Sequence, residues 1–256
     1  IVRTHNVEHH YYRFLAVSEN NILKKIFFLT ESFKLLFFEK RLNHANSLVT
    51  ISKTDFTHFR KYKKKNTFLI PAFHPFETPD VRPGKGNFIL YHANLSVAEN
   101  QKALHFLICN VFSKIQTQVL IAGKNPPKWI MNVTYKYKHI TVVPNPDADE
   151  LEELILSAHI HVLHTFQPTG LKLKLLYVLF KGRFCITNSL MTENTGLESV
   201  CYTENTPLGI ISRINQLVNQ EFKVDSEEMA RRKKILEQSF SNKNNAKYLM
   251  NVFFNE

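Results

Sequence analysis

The chemistry this sequence can carry starts at Pro168-Thr169-Gly170, a turn that opens a helical run and is followed by two cations, Lys172 and Lys174. An apolar stretch, Ile160-His161-Val162-Leu163, precedes the turn, and another, Phe184-Cys185-Ile186-Thr187, follows Lys181-Gly182. In such a strand–turn–helix–strand unit the free N–H groups of the first helical turn, with the positive end of the helix dipole, hold an anion. Gly170 lets the backbone approach it, and the lysines add charged donors. Lys174 is favoured over Lys172, which falls on the far side of the helical wheel. The competing reading is an ordinary turn with surface lysines. A second group of reactive side chains, His5, Glu8, His9 and His10, follows the short strand Ile1–Thr4. His or Glu there suits a general base, and local hydrogen bonding is the alternative. No second ligand constellation accompanies these residues, so a zinc site is not expected. His159, His161 and His164 are close in sequence, but strand alternation puts the first two on one face and the third on the other.

The elements around these residues belong to a chain of 256 residues, 44% hydrophobic, with 33 Lys and Arg against 22 Asp and Glu, a formal charge of +11. That suits one large domain or two small ones, and an anionic partner. Cys109, Cys185 and Cys201 form no spaced framework and read as reduced thiols of an intracellular protein. No run reaches membrane-spanning length and no signal peptide is recognised. The chain begins without Met inside a strand, so a fragment of a longer protein is expected.

Residues 1–72 alternate helices and strands. A helix over Asn21–Leu42 carries an apolar stripe of Ile22, Ile26, Phe27, Leu29, Phe33, Leu36 and Phe37. Ser47–Ser52 and Thr67–Ile70 read as strands, with Ser52 or Thr54 as helix cap. Residues 73–86 lie in a Pro- and Gly-rich run that reads as a linker. Residues 87–225 give short apolar strands separated by helices, the pattern of a parallel sheet covered on both faces. Residues 226–256 read as terminal helices.

Ligands of such sheets bind beyond the carboxyl ends of the strands. Those ends supply Asn94, Gly123, Lys124, Thr169, Gly170, Lys172, Lys174, Thr195, Gly196 and Leu197. This rim is rich in Gly, Asn, Thr and Lys and poor in carboxylates, as a receptor for a nucleotide or another phosphorylated group should be. Nucleic-acid binding is not expected, because the charge is scattered and no recognised module is present.

Four stretches, NFILYHANLSVAENQKAL, VLIAGKNPP, ITVVPNPDADELEELILSAHIHVL and TGLKLKLLYVLFKGRFCIT, resemble the donor-binding domain of GT-B glycosyltransferases of the broad family 4 (glycosyl transferases group 1). The opening VRTHNVEHHYYRFLA resembles the acceptor-side domain of bacterial members that build surface polysaccharides. The resemblance covers most of the chain, and the order and spacing of the pieces carry it. It implies an α/β fold with a Rossmann-like C-terminal domain, a partial N-terminal domain and terminal helices that pack back toward that domain. It also implies transfer of a hexose from a nucleotide sugar to a glycan or lipid-linked acceptor, without an obligatory metal or other cofactor. About a hundred further residues upstream would complete the first domain. On that reading His5 and Glu8 are the candidate catalytic groups. The run Arg60–Lys65 and the lysines of the Asn21–Leu42 helix suit a peripheral contact with anionic membrane on the cytoplasmic face, with a solvated basic loop as the equal alternative.

One departure stands out. The family usually has a Glu on the helix after the Gly turn, binding the donor ribose, where this chain has Tyr177. The usual Arg–Lys pair near the first strand of the domain is replaced by His92–Ser96. On the helical wheel Tyr177 shares a face with Gly170, Lys174 and Lys181, which makes it a candidate donor contact, with a packed aromatic as the alternative. A phenol, however, cannot accept two ribose hydroxyls as a carboxylate does. Two further readings therefore stand beside the transferase, a binding or scaffold protein on the same fold and a nucleotide-sugar epimerase.

Overall fold

The computed structural model describes residues 1–254 apart from residues 20, 64 and 168–171. The chain divides into two compact units, one built from Ile1–Pro75 and Gln238–Glu256, the other from Phe76–Phe166 and Lys172–Glu237.

The first unit holds a parallel sheet of β1 (Val2–Thr4), β2 (Leu48–Thr50) and β3 (Thr67–Leu69), in that order. Helices α1 (Glu8–Ser18) and α2 (Ile22–Arg41) connect β1 to β2, and α3 (Lys53–Arg60) connects β2 to β3. Side-chain caps start two of the helices: Asn21 accepts from Lys24 N–H at 3.1 Å and Ser52 from Asp55 N–H at 3.1 Å. Lys40 and Arg41 in the last turn of α2 complement its dipole. The core is small, with Val7, Leu48 and Phe59 on one side of the sheet and Val49 and Ile70 on the other.

The α2 stripe expected from periodicity is not the face that packs. Ile22, Ile26, Phe27, Leu29, Phe33 and Phe37 are exposed. The inward face carries Ser32 and Glu39, two turns apart, with Phe28, Leu35 and Leu36 half-buried beside them. Apolar spacing locates a stripe, but here polar contacts choose the covered face: the Ser32 hydroxyl donates to the His9 carbonyl at 2.8 Å.

The second unit is a sheet of β4 (Ile89–Asn94), β5 (Val119–Lys124), β6 (Ile140–Pro144), β7 (Ile160–Leu163), β8 (Phe184–Thr187) and β9 (Tyr202–Thr203). Its spatial order is β6-β5-β4-β7-β8-β9, and every neighbouring pair is parallel. The intervening helices are α4 (Ala98–Asn110), α5 (Lys128–Met131), α6 (Val133–Lys136), α7 (Ala148–Ser157), α8 (Leu173–Lys181), α9 (Ser189–Thr192) and α10 (Pro207–Leu217). Period-two alternation sorts the core. Ile89, Tyr91, Val119, Ile121, Ile140, Val142, Ile160, Val162, Phe184 and Ile186 pack on one face with α4 and α10. Leu90, Ala122 and Val143 pack on the other with Ile155 of α7 and Tyr177 of α8.

The Pro- and Gly-rich run contains no helix or named strand, yet its second half is packed. Phe76 and Val81 are buried, Asp80 N–H donates to the Phe180 carbonyl at 2.8 Å, and Gly84 pairs with Phe222. The last strand is short: a 3-10 turn at Glu198–Val200 precedes the two residues of β9. The terminal helical stretch breaks into α11 (Glu227–Ser239) and α12 (Asn242–Phe254). Val252 and Leu249 of α12 join Val49 and Ile70 in the first unit, and Tyr248 meets Phe68 edge-on.

Candidate donor-binding site

Chain order reverses at β4. From there β5 and β6 are laid down on one side, and β7, β8 and β9 on the other. The crevice beyond the carboxyl ends of β4 and β7 is the topological switch point, where open α/β sheets bind ligands. Four segments meet there: the end of β4, the first turn of α4, the end of β7 and the first turn of α8.

Lys174 is the central cation. Its ammonium donates to the Asn100 side-chain oxygen at 3.2 Å and lies 5.7 Å from the Tyr91 ring centre. The Tyr91 hydroxyl in turn donates to the Asn100 carbonyl at 3.0 Å. Burial lowers the Lys174 ammonium to about 8; Glu99 works against the drop and Lys172 adds to it. Lys172 occupies the N-cap position of α8, which has no side-chain cap, and burial lowers its ammonium as well. The helix begins at Leu173, which puts both lysines at its mouth.

Glu99 was not legible as part of this rim. From the first turn of α4 it accepts from the Thr165 hydroxyl and, at 3.2 Å, from the Phe166 N–H. The rim expected to be poor in carboxylates thus contains one, tied to the end of β7. Two ammonium groups face one carboxylate, a partly desolvated surplus of positive charge suited to a diphosphate. Asn188, after β8, braces the same edge: its amide donates to the Thr165 carbonyl at 2.8 Å and its oxygen accepts from Thr165 N–H at 3.2 Å.

The other expected contacts are distributed differently. Thr169 and Gly170 lie outside the described residues, as does Lys64 of the basic run. Asn94 is exposed, and its oxygen accepts from Ser96 N–H at 3.1 Å and Ser96 hydroxyl at 2.7 Å, a turn that aims α4. Gly123 is required for strand packing: a Cβ there would sit 2.0 Å from the Ala93 carbonyl oxygen. Lys124 is exposed at the end of β5. The Thr195 hydroxyl donates to the Thr192 carbonyl at 2.6 Å and accepts from Leu197 N–H at 3.1 Å, while the Leu197 side chain is fully buried. With Gly196 at φ +78°, this loop is a self-satisfied turn. Tyr177 shares a helix face with Lys174 and Lys181, but its hydroxyl donates to Glu152 of α7 at 3.4 Å and its ring packs 4.8 Å from Phe76. Burial, then Glu152, pushes the phenol up to about 12.

His161 and His164 sit on opposite faces of the sheet, as alternation requires. His164 stacks on Phe106 at 4.7 Å, and His159 accepts from Gly86 N–H at 3.1 Å.

In the first unit His5 is exposed and Glu8 lies in the first turn of α1. Burial and the Glu39 charge raise the Glu8 carboxyl, against the pull of His5. The tighter grouping is one the sequence did not show: His9 of α1, Glu39 of α2 and His58 of α3. Burial works to raise the Glu39 carboxyl, but hydrogen bonds from His58 and His9 outweigh it and hold it below the usual range.

No family model matches the chain. A curated protein of Klebsiella pneumoniae described as an uncharacterized 44.6 kDa protein in the cps region is 26% identical over 211 residues, covering 77% of this chain and 53% of its own length. Among solved structures, an S. aureus TarM variant in complex with fondaparinux, alpha-GlcNAc-glycerol and UDP superposes with a TM-score of 0.71 at 12% identity, covering 98% of this chain and 50% of the other. Anabaena HepE in complex with UDP and glucose gives 0.62 at 11% identity, covering 87% and 67%. Sucrose-phosphate synthase of Thermosynechococcus elongatus gives 0.62 at 15%, covering 86% and 61%. The chain spans about half the length of the curated relative it matches and of TarM. It is built on the GT-B fold of the glycosyltransferases.

Proposed function

We propose that this chain carries the donor site of a glycosyltransferase that moves a sugar from a nucleoside-diphosphate sugar to a glycan or lipid-linked acceptor in surface-polysaccharide synthesis. The observation that carries the reading is the half-buried Lys174 ammonium at the switch point, beside Lys172 and the N-terminus of α8, which has no side-chain cap. Leaving-group departure puts negative charge on the diphosphate. Two lysines and the α8 N–H groups stabilise that charge in place, so the chemistry needs no metal. The UDP in the TarM and HepE complexes and the cps location of the Klebsiella relative support the same assignment. His5 and the raised carboxyl of Glu8 are the proposed acid–base groups toward the acceptor. The exposed apolar residues of α2, interleaved with Lys24, Lys25 and Lys34, suit peripheral contact with an anionic membrane, and no described helix is long and apolar enough to cross one.

The test is a melting-temperature panel with UDP, GDP, CDP and their sugars. A ligand at a hundred times its Kd adds about 2.7 kcal/mol. A rise with one diphosphate that Lys174→Ala abolishes supports the reading; no rise with any of them overturns the donor site. One observation favours a second reading, binding without turnover. Tyr177 spends its hydroxyl on Glu152, so no carboxylate stands at that position for the donor ribose. Diphosphate binding without sugar transfer would establish it.

A further inference from the structure

Three helices of the first unit converge on one carboxylate. Glu39 is 4% exposed. Its Oε2 accepts from His9 Nδ1 at 2.7 Å and from His58 Nε2 at 3.2 Å, and its Oε1 accepts from the His9 backbone N–H at 3.2 Å. One ligand atom from each of the three side chains lies within 4.8 Å of the others. We propose that His9, Glu39 and His58 form a three-ligand site for a divalent ion of the zinc class.

The donor set is the first argument. Two imidazole nitrogens and one carboxylate oxygen make a borderline-soft site that suits zinc and its neighbours rather than magnesium or calcium, which prefer oxygen alone. Geometry is the second. Ligand bonds of about 2.0–2.2 Å in a tetrahedral arrangement put donor atoms roughly 3.3 Å apart. The His9–Glu39 and His58–Glu39 pairs, at 2.7 and 3.2 Å, lie within about 0.6 Å of that separation. The two imidazole nitrogens lie within 4.8 Å of each other and close toward that separation when the ion binds.

Access and support complete the case. The side chains of His9 and His58 are 12% and 13% exposed, so the cluster has a solvent edge where water or another oxygen completes the coordination. The His10 ring lies 4.2 Å from His9 and 5.3 Å from His58, adding a third imidazole at that edge. The Ser32 hydroxyl, donating to the His9 carbonyl, fixes the backbone behind the ligands. Ion binding replaces the two N–H···O bonds. Each ring proton moves to the outward nitrogen through solvent, so a neutral ring changes tautomer without net proton loss. Because the ligands come from three helices over a small core, the ion would act as a staple for this unit, whatever the second unit binds.

The experiment uses the whole chain, stripped with chelator, dialysed and titrated with zinc chloride by calorimetry, with metal content measured after gel filtration. Cobalt(II) is added in parallel as a coloured reporter of four-coordinate geometry. The proposal expects one retained ion per chain, a rise in melting temperature, and cobalt absorption of tetrahedral intensity. Glu39→Gln and His58→Ala should each weaken that binding about a hundredfold and remove the colour, with the circular dichroism spectrum checked for both. If one variant does not fold, the other decides. Failure of the parent to retain an ion overturns the site. Equal retention by parent and variants also overturns it, since it would mean adventitious binding to the other surface histidines.

Discussion

The Lys174 ammonium donates to the Asn100 side-chain oxygen at 3.2 Å, joining the first turn of α8 to the first turn of α4 across the switch point. This contact positions the cation without neutralising it, because the amide carries no charge. A diphosphate would then meet an ammonium already oriented and partly desolvated. Removing it by Lys174→Ala is expected to weaken diphosphate binding by roughly ten- to a hundredfold, the worth of one or two charge-assisted hydrogen bonds. Isothermal titration with the diphosphate identified by the melting panel measures it. Unchanged affinity would remove Lys174 from the site.

The lowered Lys174 ammonium makes this binding pH-dependent. Its value of about 8 in the folded chain means that charge is present below that pH and lost above it. Apparent affinity should hold from pH 6.5 to 7.5 and fall about tenfold per unit once pH is above the transition. Glu99 favours the charged ammonium, so Glu99→Gln should shift the fall to lower pH. A parent profile that is flat to pH 9.5 would contradict this account.

Much of the architecture could be read directly from residue order. Strands such as Val119–Ala122 and Phe184–Thr187 are continuous apolar runs because a parallel sheet buries both their faces, and the helices between them are amphipathic for the same reason. The site was less legible, because its contacts join residues far apart in the chain. Thr165 and Glu99 are separated by 66 positions, Lys174 and Asn100 by 74, and His9 and Glu39 by 30. No local spacing encodes such pairs. The same limit explains α2, where periodicity located the apolar stripe, but only the fold decided that Ser32 and Glu39 face inward.

Gly123 separates a packing role from a ligand role. Its ideal Cβ would lie 2.0 Å from the Ala93 carbonyl oxygen and 2.8 Å from Leu95 Cγ, contacts that backbone movement alone can relieve. Gly123→Ala should therefore destabilise the ligand-free chain by about 1–3 kcal/mol, read by urea denaturation. An undiminished unfolding midpoint, with only diphosphate binding lost, would instead return this glycine to the donor site.

Acid should weaken the second unit through histidines buried as neutral rings. Burial lowers His164 to about 4 and His92 to about 3, and holds His161 well below the ordinary value. The unfolded chain takes up these protons near pH 6.5 while the folded chain resists, so stability is full above 6.5 and falls as pH drops toward 4. For His164 alone the loss is on the order of 3 kcal/mol once the pH is below its folded value. His164→Phe, which keeps a ring against Phe106, should reduce the slope of the unfolding free energy between pH 7 and pH 4.5, with His92 and His161 supplying the remainder. If the parent and the variant keep the same slope, the ring does not carry the linkage.

Tyr177 tests whether this position touches the donor. Its hydroxyl is held by Glu152 at 3.4 Å, so Tyr177→Phe removes a long hydrogen bond and leaves the ring on Phe76. Diphosphate affinity should change by less than about twofold, and stability by under about 1 kcal/mol. Tyr177→Glu is the harsher change, because the new carboxylate would stand next to Glu152. It should lower the melting temperature, with part of that loss recovered by Glu152→Gln, since relief of like-charge repulsion is a pairwise effect. A gain in nucleoside-diphosphate affinity over nucleotide-free phosphate in Tyr177→Glu would show that the position can reach the ribose after all. The tyrosine would then be a specific loss of that contact rather than a packing residue of α7 and α8.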